Sequence, residues 1–193
     1  MKAVILSLRP QWADKIFNGS KTIEVRKSRP SLDMPFRVYV YQTKHKGGKK
    51  IVSEVLNSVY GGGKVIGSFV CDRIREIIPL GLRGFKLGAE WLKEMCLSKE
   101  QLDEYGGLKT LYSWHITEPK LFDKPRELSE FYRSLPENVL ENGEYDCRKA
   151  WDVLCIDAPE GGDYCAECPF GGRVPLTRPP MSWCYIEEED NER

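Results

Sequence analysis

The 193-residue sequence predicts an α+β fold in which a mixed β-sheet is flanked by short helices. Strand-like alternation at the start of the chain gives way to helical spacing over residues 10–17, and further alternating segments follow, of which residues 36–42 are the clearest. Helices and strands do not alternate regularly, so a doubly wound parallel sheet is not expected. Two irregular insertions interrupt the pattern, a basic, glycine-rich one at 43–63 and a cysteine-containing one at 135–176.

Local signals place the individual elements. Pro10 suits the first turn of a helix, and Asn18 with Gly19 should end it, with a positive φ at the glycine. Ser98 and Gln101 have the spacing of a capping box, so the helical region should break there into two short helices. The remaining predicted elements are strands at 2–7, 22–26, 65–78, 111–116, 120–122 and 181–186, and a short helix at 127–134.

The composition is that of a globular protein, with 41% hydrophobic and 30% charged residues. No segment approaches the roughly 20 apolar residues that a membrane span needs. The N-terminal apolar run is short and alternates like a strand, which is unlike a secretory leader. We therefore expect a cytoplasmic protein without a membrane partner.

Charge is unevenly distributed although the formal net charge is zero. Residues 1–50 are strongly basic and residues 141–193 are acidic. The basic part could offer a surface to phosphate groups, or the two parts could neutralise each other in the fold. The lysine run at 44–50 is either a solvated loop or an arm that contacts phosphates. The acidic C-terminus is a candidate docking segment for a protein partner.

Seven cysteines without a secretory leader argue against a disulfide framework. Cys165 and Cys168 form a C-x-x-C pair, the spacing found in half of many zinc sites. Cys147 and Cys155 could complete a set of four ligands, and a structural zinc would stabilise an insertion of low apolar content. A redox pair or plain free thiols are the alternatives.

A compact group of charges follows the first predicted helix. Glu24 and Arg26 alternate with Ile23 and Val25, so they share one face of a strand, and Lys21 lies just before it. Arginine can hold a phosphate or carboxylate through two hydrogen bonds, and lysine can act as a point charge. Such a group could recognise a ligand at the mouth of a cleft, or it could be a solvated face with weak ion pairs.

The segment Gly19-Ser20-Lys21-Thr22-Ile23-Glu24-Val25-Arg26 resembles the G-x-K-x-x-E-x-R motif of the ASCH domain family. Segments 38–43, 65–70 and 177–185 add to the resemblance. It implies a single domain over 1–193 with a mixed β-barrel of the PUA-like superfamily, and binding of RNA or a modified nucleotide, in translation or transcript handling. The candidate binding residues are Arg9, Lys21, Thr22, Glu24, Arg26, Tyr41, Arg178 and Trp183.

Some proteins that the chain resembles are small amidohydrolases acting on N4-acylated cytidine, with a threonine nucleophile in the motif. Here Glu24 occupies that position, so the nucleophilic hydroxyl is missing. A hydrolase would need another mechanism, with Glu24 as general base and Lys21 assisting it. We therefore expect binding rather than catalysis, with the amidohydrolase and a protein-interaction module as alternatives.

Overall fold

The computed structural model describes residues 2–44, 62–134 and 173–188. They form one eight-stranded mixed sheet with three short α-helices and two 3₁₀ turns, which confirms the predicted α+β class. In chain order the elements are β1 Lys2–Leu8, α1 Pro10–Phe17, β2 Ile23–Arg26, β3 Phe36–Gln42, β4 Lys64–Ile77, a 3₁₀ turn Gly81–Arg83, α2 Ala89–Met95, α3 Lys99–Gly106, β5 Leu111–Arg126, a 3₁₀ turn Leu128–Glu130, β6 Tyr132–Ser134, β7 Arg173–Pro175 and β8 Trp183–Glu187.

The sheet is strongly curled. Its strand order is β2-β5-β4-β3-β1-β8-β6-β7, with β1 and β3 parallel and the other pairs antiparallel. Although three strands separate β2 from β1 in this order, Arg26 on β2 donates to the carbonyl of Ser7 on β1, at 2.9 Å. Trp114 on β5 likewise meets Trp183 on β8 with ring centroids 5.9 Å apart. Side chains of β2 and β5 therefore meet β1 and β8 across the curled sheet, as in the barrel that the resemblance implies.

The two faces of the curled sheet bury different apolar clusters. Inside lie alternate residues of β1 and β3, such as Val4 and Val38, with Phe69 and Trp114, and α1 closes one end through Ala13 and Ile16. On the outside, one cluster covers β1, β3 and β8. A second outer cluster joins β2, β4 and β5 to the two helices α2 and α3. The helices thus lie against the outer face of the strand pair that carries the motif.

The helix signals in the sequence are confirmed. Gly19 has a φ of +78°, which ends α1 as expected. Ser98 and Gln101 form the capping box that starts α3, with the Ser98 hydroxyl accepting the Gln101 amide hydrogen at 3.2 Å. The chain that enters β2 is fixed to two helices. The Lys21 amide donates to the Lys15 carbonyl on α1, and the Thr22 amide donates to the Glu94 carbonyl on α2.

The prediction of two separate strands at 111–116 and 120–122 is wrong, because β5 runs through both and on to Arg126. Thr117 and Lys120 pair with Val70 and Ser68, so β5 carries one residue more than β4 between these pairs. Glu118, with a φ of +49°, and Pro119 occupy that bulge. A bulge tolerates the missing proline amide hydrogen, and the strand therefore continues.

The predicted helix at 127–134 is also wrong beyond its first turn. A 3₁₀ turn spans Leu128–Glu130, and β6 follows it. Phe131 is 4% exposed within the outer cluster on β1 and β3, so burial of this ring extends the chain after one turn. Strand β7, which pairs with β6, falls at the end of the predicted insertion 135–176.

Residues 45–61 of the first insertion and 135–172 of the second lie outside the described residues. The ends of the first one meet, because Gly63 donates its amide hydrogen to Gln42 at 2.7 Å, where β3 and β4 pair. Within the described ranges, no helix combines the length and apolar character that crossing a membrane requires.

Candidate functional site

The charged residues of the motif point into the barrel. Ile23 and Val25 contact the outer cluster beneath α2 and α3, so the alternation of β2 directs Glu24 and Arg26 to the inner face. Glu24 lies opposite Trp114 on β5, an indole that is 0% exposed in the inner core. The shared strand face that the sequence predicts is therefore present, and it is the interior face.

Lys21, Glu24 and Arg26 form one buried ionic group, named here the charged trio. The Glu24 carboxylate lies 3.4 Å from Lys21 Nζ and 2.9 Å from Arg26 Nε. Lys21 Nζ also donates to the Met95 carbonyl at 2.6 Å. The three residues are 2%, 6% and 9% exposed, so this is not the solvated face that the sequence left open as an alternative.

The charged trio holds two cations and one carboxylate, so it carries a net charge of one positive. Arg26 Nε approaches Glu24 without hydrogen-bond geometry, and it has no hydrogen-bond partner among the described residues. Buried charge is costly unless it is fully paired. The trio is therefore electrostatically suited to an electron-rich group such as a phosphate or a base carbonyl.

Arg26 links the trio to the loop that leads into β8. Its Nη2 donates to the Ser7 carbonyl at 2.9 Å, and its Nη1 reaches Ser182 Oγ at 3.4 Å. Ser7 in turn fixes this loop, with its hydroxyl donating to Pro180 and its amide donating to Ser182. Arg26 has the most exposed side chain of the trio, at 11%, and its longest contact is the one to Ser182.

Basic and aromatic side chains surround the segment that continues from Arg26. Lys27 Nζ lies 4.8 Å from the ring centre of Tyr105, and the Arg29 guanidinium lies 5.8 Å from that of Tyr112. Trp183 Nε1 donates to Ser28 Oγ at 3.0 Å. We name Lys27, Arg29, Tyr105, Tyr112 and Trp183 the basic–aromatic rim.

Tyr105 joins the rim to the charged trio. It is 38% exposed near the end of α3. Burial of the hydroxyl raises its pKa, the Arg26 charge lowers it and the Glu24 charge raises it, with a net upward shift. The phenol thus senses both charges and remains protonated at neutral pH.

The other predicted binding residues are placed differently. Thr22 continues the pairing of β2 through its carbonyl, which accepts the Ile116 amide hydrogen. Arg9 and Arg178 are exposed, and Trp183 belongs to the rim. Tyr41 does not join the site, because it is 5% exposed in the outer cluster on β1 and β3, on the opposite face from the trio.

The four cysteines predicted as zinc ligands, Cys147, Cys155, Cys165 and Cys168, lie outside the described residues. Within residues 2–44, 62–134 and 173–188, no group of three His, Cys, Asp or Glu residues could hold a metal ion. Cys71, by contrast, is buried in the core as expected, and burial raises the pKa of its thiol to about 12.

Sequence reasoning missed Ser182 and four of the five rim residues, which are Lys27, Arg29, Tyr105 and Tyr112. Tyr112 lies opposite Arg26 in the β2–β5 pair, a register that cannot be read from either strand alone. Tyr105 comes from a helix about eighty residues later in the chain, and Ser182 from the loop before the last strand. The motif gave no local signal for any of them.

Comparison with known proteins bears directly on these observations. The sequence profile described as ASCH domain matches residues 6–126, more than half of the chain. Similar solved structures include the ASCH protein from Zymomonas mobilis, with 22% identity and a TM-score of 0.47 over 65% of this chain and 73% of that chain. A tyrosine-to-phenylalanine variant of that protein has 21% identity and a TM-score of 0.45, covering 66% and 77%. No curated protein matches the chain. The profile match shows that the chain belongs to the ASCH domain family.

Proposed function

We propose that this chain binds RNA or a modified nucleotide at the charged trio and the basic–aromatic rim. The observation that carries the proposal is the rim itself, in which two cations and three aromatic rings border Arg26. Proteins that bind single-stranded nucleic acids combine basic side chains with flat rings on which bases stack. Membership of the ASCH family supports the same function.

The two parts of the site would act on different groups of the ligand. Lys27 and Arg29 are exposed and would contact phosphates, while Tyr105 and Tyr112 offer ring surface for a base. Arg26 Nη1 would donate to a base carbonyl or a phosphate oxygen in exchange for its 3.4 Å contact with Ser182. The net positive charge of the trio would favour such an acceptor.

The burial of the trio disfavours the amidohydrolase alternative. Lys21 is 2% exposed, and its Nζ is engaged by the Met95 carbonyl and by Glu24. Glu24 is held between two cations, which leaves its carboxylate little freedom to reach a substrate. A general base must come within hydrogen-bond distance of the proton it removes.

The proposal is tested by measuring the affinity for a pool of short single-stranded RNA at two salt concentrations. Lys27→Gln/Arg29→Gln removes the two rim cations from exposed positions, so folding should be preserved. Lys120→Gln/Lys124→Gln is the matched control, because it also removes two exposed lysines. Both lie on β5, roughly 20 Å or more along the strand from the rim residue Tyr112. The salt slope is the steepness with which the logarithm of the RNA affinity falls with the logarithm of the salt concentration. Each lost phosphate contact should lower it by about 0.7.

We expect the rim variant to bind RNA more weakly and with a lower salt slope, and the control to bind like the wild type. An equal loss of RNA affinity in both variants would mean that binding depends only on overall charge, and it would contradict the proposal. Absence of RNA binding by the wild type would also contradict the proposal. Release of acetate from N4-acetylcytidine would then establish the amidohydrolase function instead. Contact of the 44–50 lysines with phosphates stays a prediction, tested by neutralising them and measuring the same slope.

A further inference from the structure

The outer face of the β2–β5 pair carries a second polar cavity, separate from the charged trio. It has a volume of about 210 Å³ and is lined by Ile23, Arg73, Arg75, Trp91, Glu94, Ser113 and His115. Ile23 and Val25 face this side of β2, whereas Glu24 and Arg26 face the barrel interior. The strand pair therefore separates the cavity from Glu24 and Arg26.

A β-bulge in β4 builds this cavity. Cys71 pairs with Ile116 and Ile74 pairs with Trp114, so Asp72 and Arg73 together oppose the single residue His115. Bulges redirect side chains and occur often beside functional sites. This one brings Asp72 Oδ1 to 2.6 Å from His115 Nδ1, which fixes the imidazole, and among the described residues Nε2 has no hydrogen-bond partner.

The two arginines in the cavity have unused donors. Neither guanidinium has a hydrogen-bond or ion-pair partner among the residues that the structure describes, although Glu94 lines the same cavity. The guanidinium of Arg75 lies 5.8 Å from the centre of the Trp91 ring, which holds it against α2. Ser113 adds no donor, because its hydroxyl donates to the Arg75 carbonyl at 3.1 Å.

We infer that this cavity is a binding site for a phosphate group, held by Arg73 and Arg75 with His115 beside them. The two guanidinium groups that line the cavity outnumber its one lining carboxylate, Glu94, and the nearby Asp72 carboxylate is engaged by His115. Guanidinium geometry also matches phosphate oxygens. The volume is below the range of about 300–1,000 Å³ typical of pockets for drug-sized ligands, which favours one compact anionic group over a whole nucleotide. The phosphate could belong to a free phosphate ester or to an RNA backbone.

The test is a titration of the ¹⁵N-labelled protein with inorganic phosphate, compared with sodium chloride at equal ionic strength. We expect shifts of the Trp91 indole and of the Ser113 and His115 amides, with much smaller changes at Lys21 and Arg26. In Arg73→Gln/Arg75→Gln the affinity for phosphate should fall by about tenfold or more, since losing a hydrogen bond from a charged donor weakens binding by at least roughly that factor. The control Lys120→Gln/Lys124→Gln should behave like the wild type, and the spectra themselves report folding.

A variant with the opposite expected effect sharpens the test. Glu94→Gln removes the one carboxylate among the described residues that line the cavity, and it keeps the backbone carbonyl that accepts the Thr22 amide hydrogen. It should bind phosphate more tightly than the wild type. An unshifted Trp91 indole, or equal affinity in the wild type and the Arg73/Arg75 variant, would overturn the inference.

The source of the phosphate is distinguished by two further probes, uridine 5′-monophosphate and a short RNA without terminal phosphates. Competition of the monophosphate with inorganic phosphate supports a free ester, and an effect of Arg73→Gln/Arg75→Gln on RNA affinity supports the backbone. The inorganic phosphate arm does not depend on the proposed function, because neither Lys27 nor Arg29 lines the cavity, so Lys27→Gln/Arg29→Gln should leave phosphate binding unchanged.

Discussion

Glu24 on β2 lies directly opposite Trp114 on β5, so a carboxylate and a fully buried indole share the inner face of the same strand pair. The carboxylate is tolerated there because Lys21 and Arg26 both reach it. Three residues that are close in sequence therefore depend on one another for their burial. This dependence determines what a change at Glu24 should do.

Glu24→Gln should destabilise the protein by about 3–5 kcal/mol, because it leaves two buried cations without their counter-charge. Urea denaturation measures the loss. Glu130→Gln is the matched control, since it neutralises a carboxylate in an exposed ion pair with Arg126 and should cost about 1 kcal/mol or less. Equal costs for the two changes would contradict the account of the buried trio.

Trp183→Phe should weaken RNA binding more than it weakens folding. A phenyl ring can retain much of the contact with Trp114, but it loses the 3.0 Å hydrogen bond to Ser28 that holds the rim segment. A lost hydrogen bond of this kind changes stability by about 1 kcal/mol. RNA affinity and the urea midpoint, measured on the same preparation, separate the two effects, and unchanged affinity would remove Trp183 from the rim.

Gly67→Ala should be destabilising by about 1–3 kcal/mol, as expected for overpacking. An added Cβ would lie 2.5 Å from the Lys120 carbonyl oxygen and 2.6 Å from the Phe17 ring, and the backbone atom cannot move away freely. Gly88→Ser is the comparison, because a Cβ there meets nothing within 4 Å and serine is favoured at the start of a helix. A thermal melt of both variants checks the pair, and a harmless Gly67→Ala would show that β4 and β5 are less closely packed.

Stability should fall as the pH rises from about 10 to 12, partly through Tyr39. Burial, the Glu188 charge and a 3.0 Å hydrogen bond to Glu188 raise the pKa of this phenol from 10.0 to about 12. A group whose pKa is raised by folding contributes stability below its unfolded pKa, and this is lost as pH passes the folded value. Tyr39→Phe should flatten the decline measured by urea denaturation across this window. Cys71 and Cys184, with thiol pKa values raised by burial to about 12 and 11, remain in both proteins and contribute to the residual slope. Tyr41 and Tyr105, whose pKa values are also raised by burial, contribute to it as well.

Features of the fold that depend on residues close in sequence could be predicted, whereas those that depend on strand pairing could not. The capping box at Ser98 and the end of α1 at Gly19 depend on neighbours along the chain, and both are confirmed. The course of β5 depends on β4, because only the partner strand shows that Pro119 falls in a bulge. The sequence alone predicted two separate strands at 111–116 and 120–122 instead.

The site divides in the same way. Alternation in β2 correctly groups Glu24 with Arg26, but it cannot say which face is interior, since charges suggest solvent. The curl of the sheet decides that, by bringing Ser7 and Ser182 to Arg26. Tyr105 and the outer cavity depend on where α2 and α3 lie and on the β4 bulge, for which the motif holds no information.

The most direct test of the central claim is to locate bound RNA by ultraviolet crosslinking of the wild-type protein followed by mass spectrometry of its peptides. The account predicts crosslinks at Tyr105, Tyr112 or Trp183, and their loss in Lys27→Gln/Arg29→Gln but not in Lys120→Gln/Lys124→Gln. Crosslinks confined to peptides that contain none of the rim residues would contradict it.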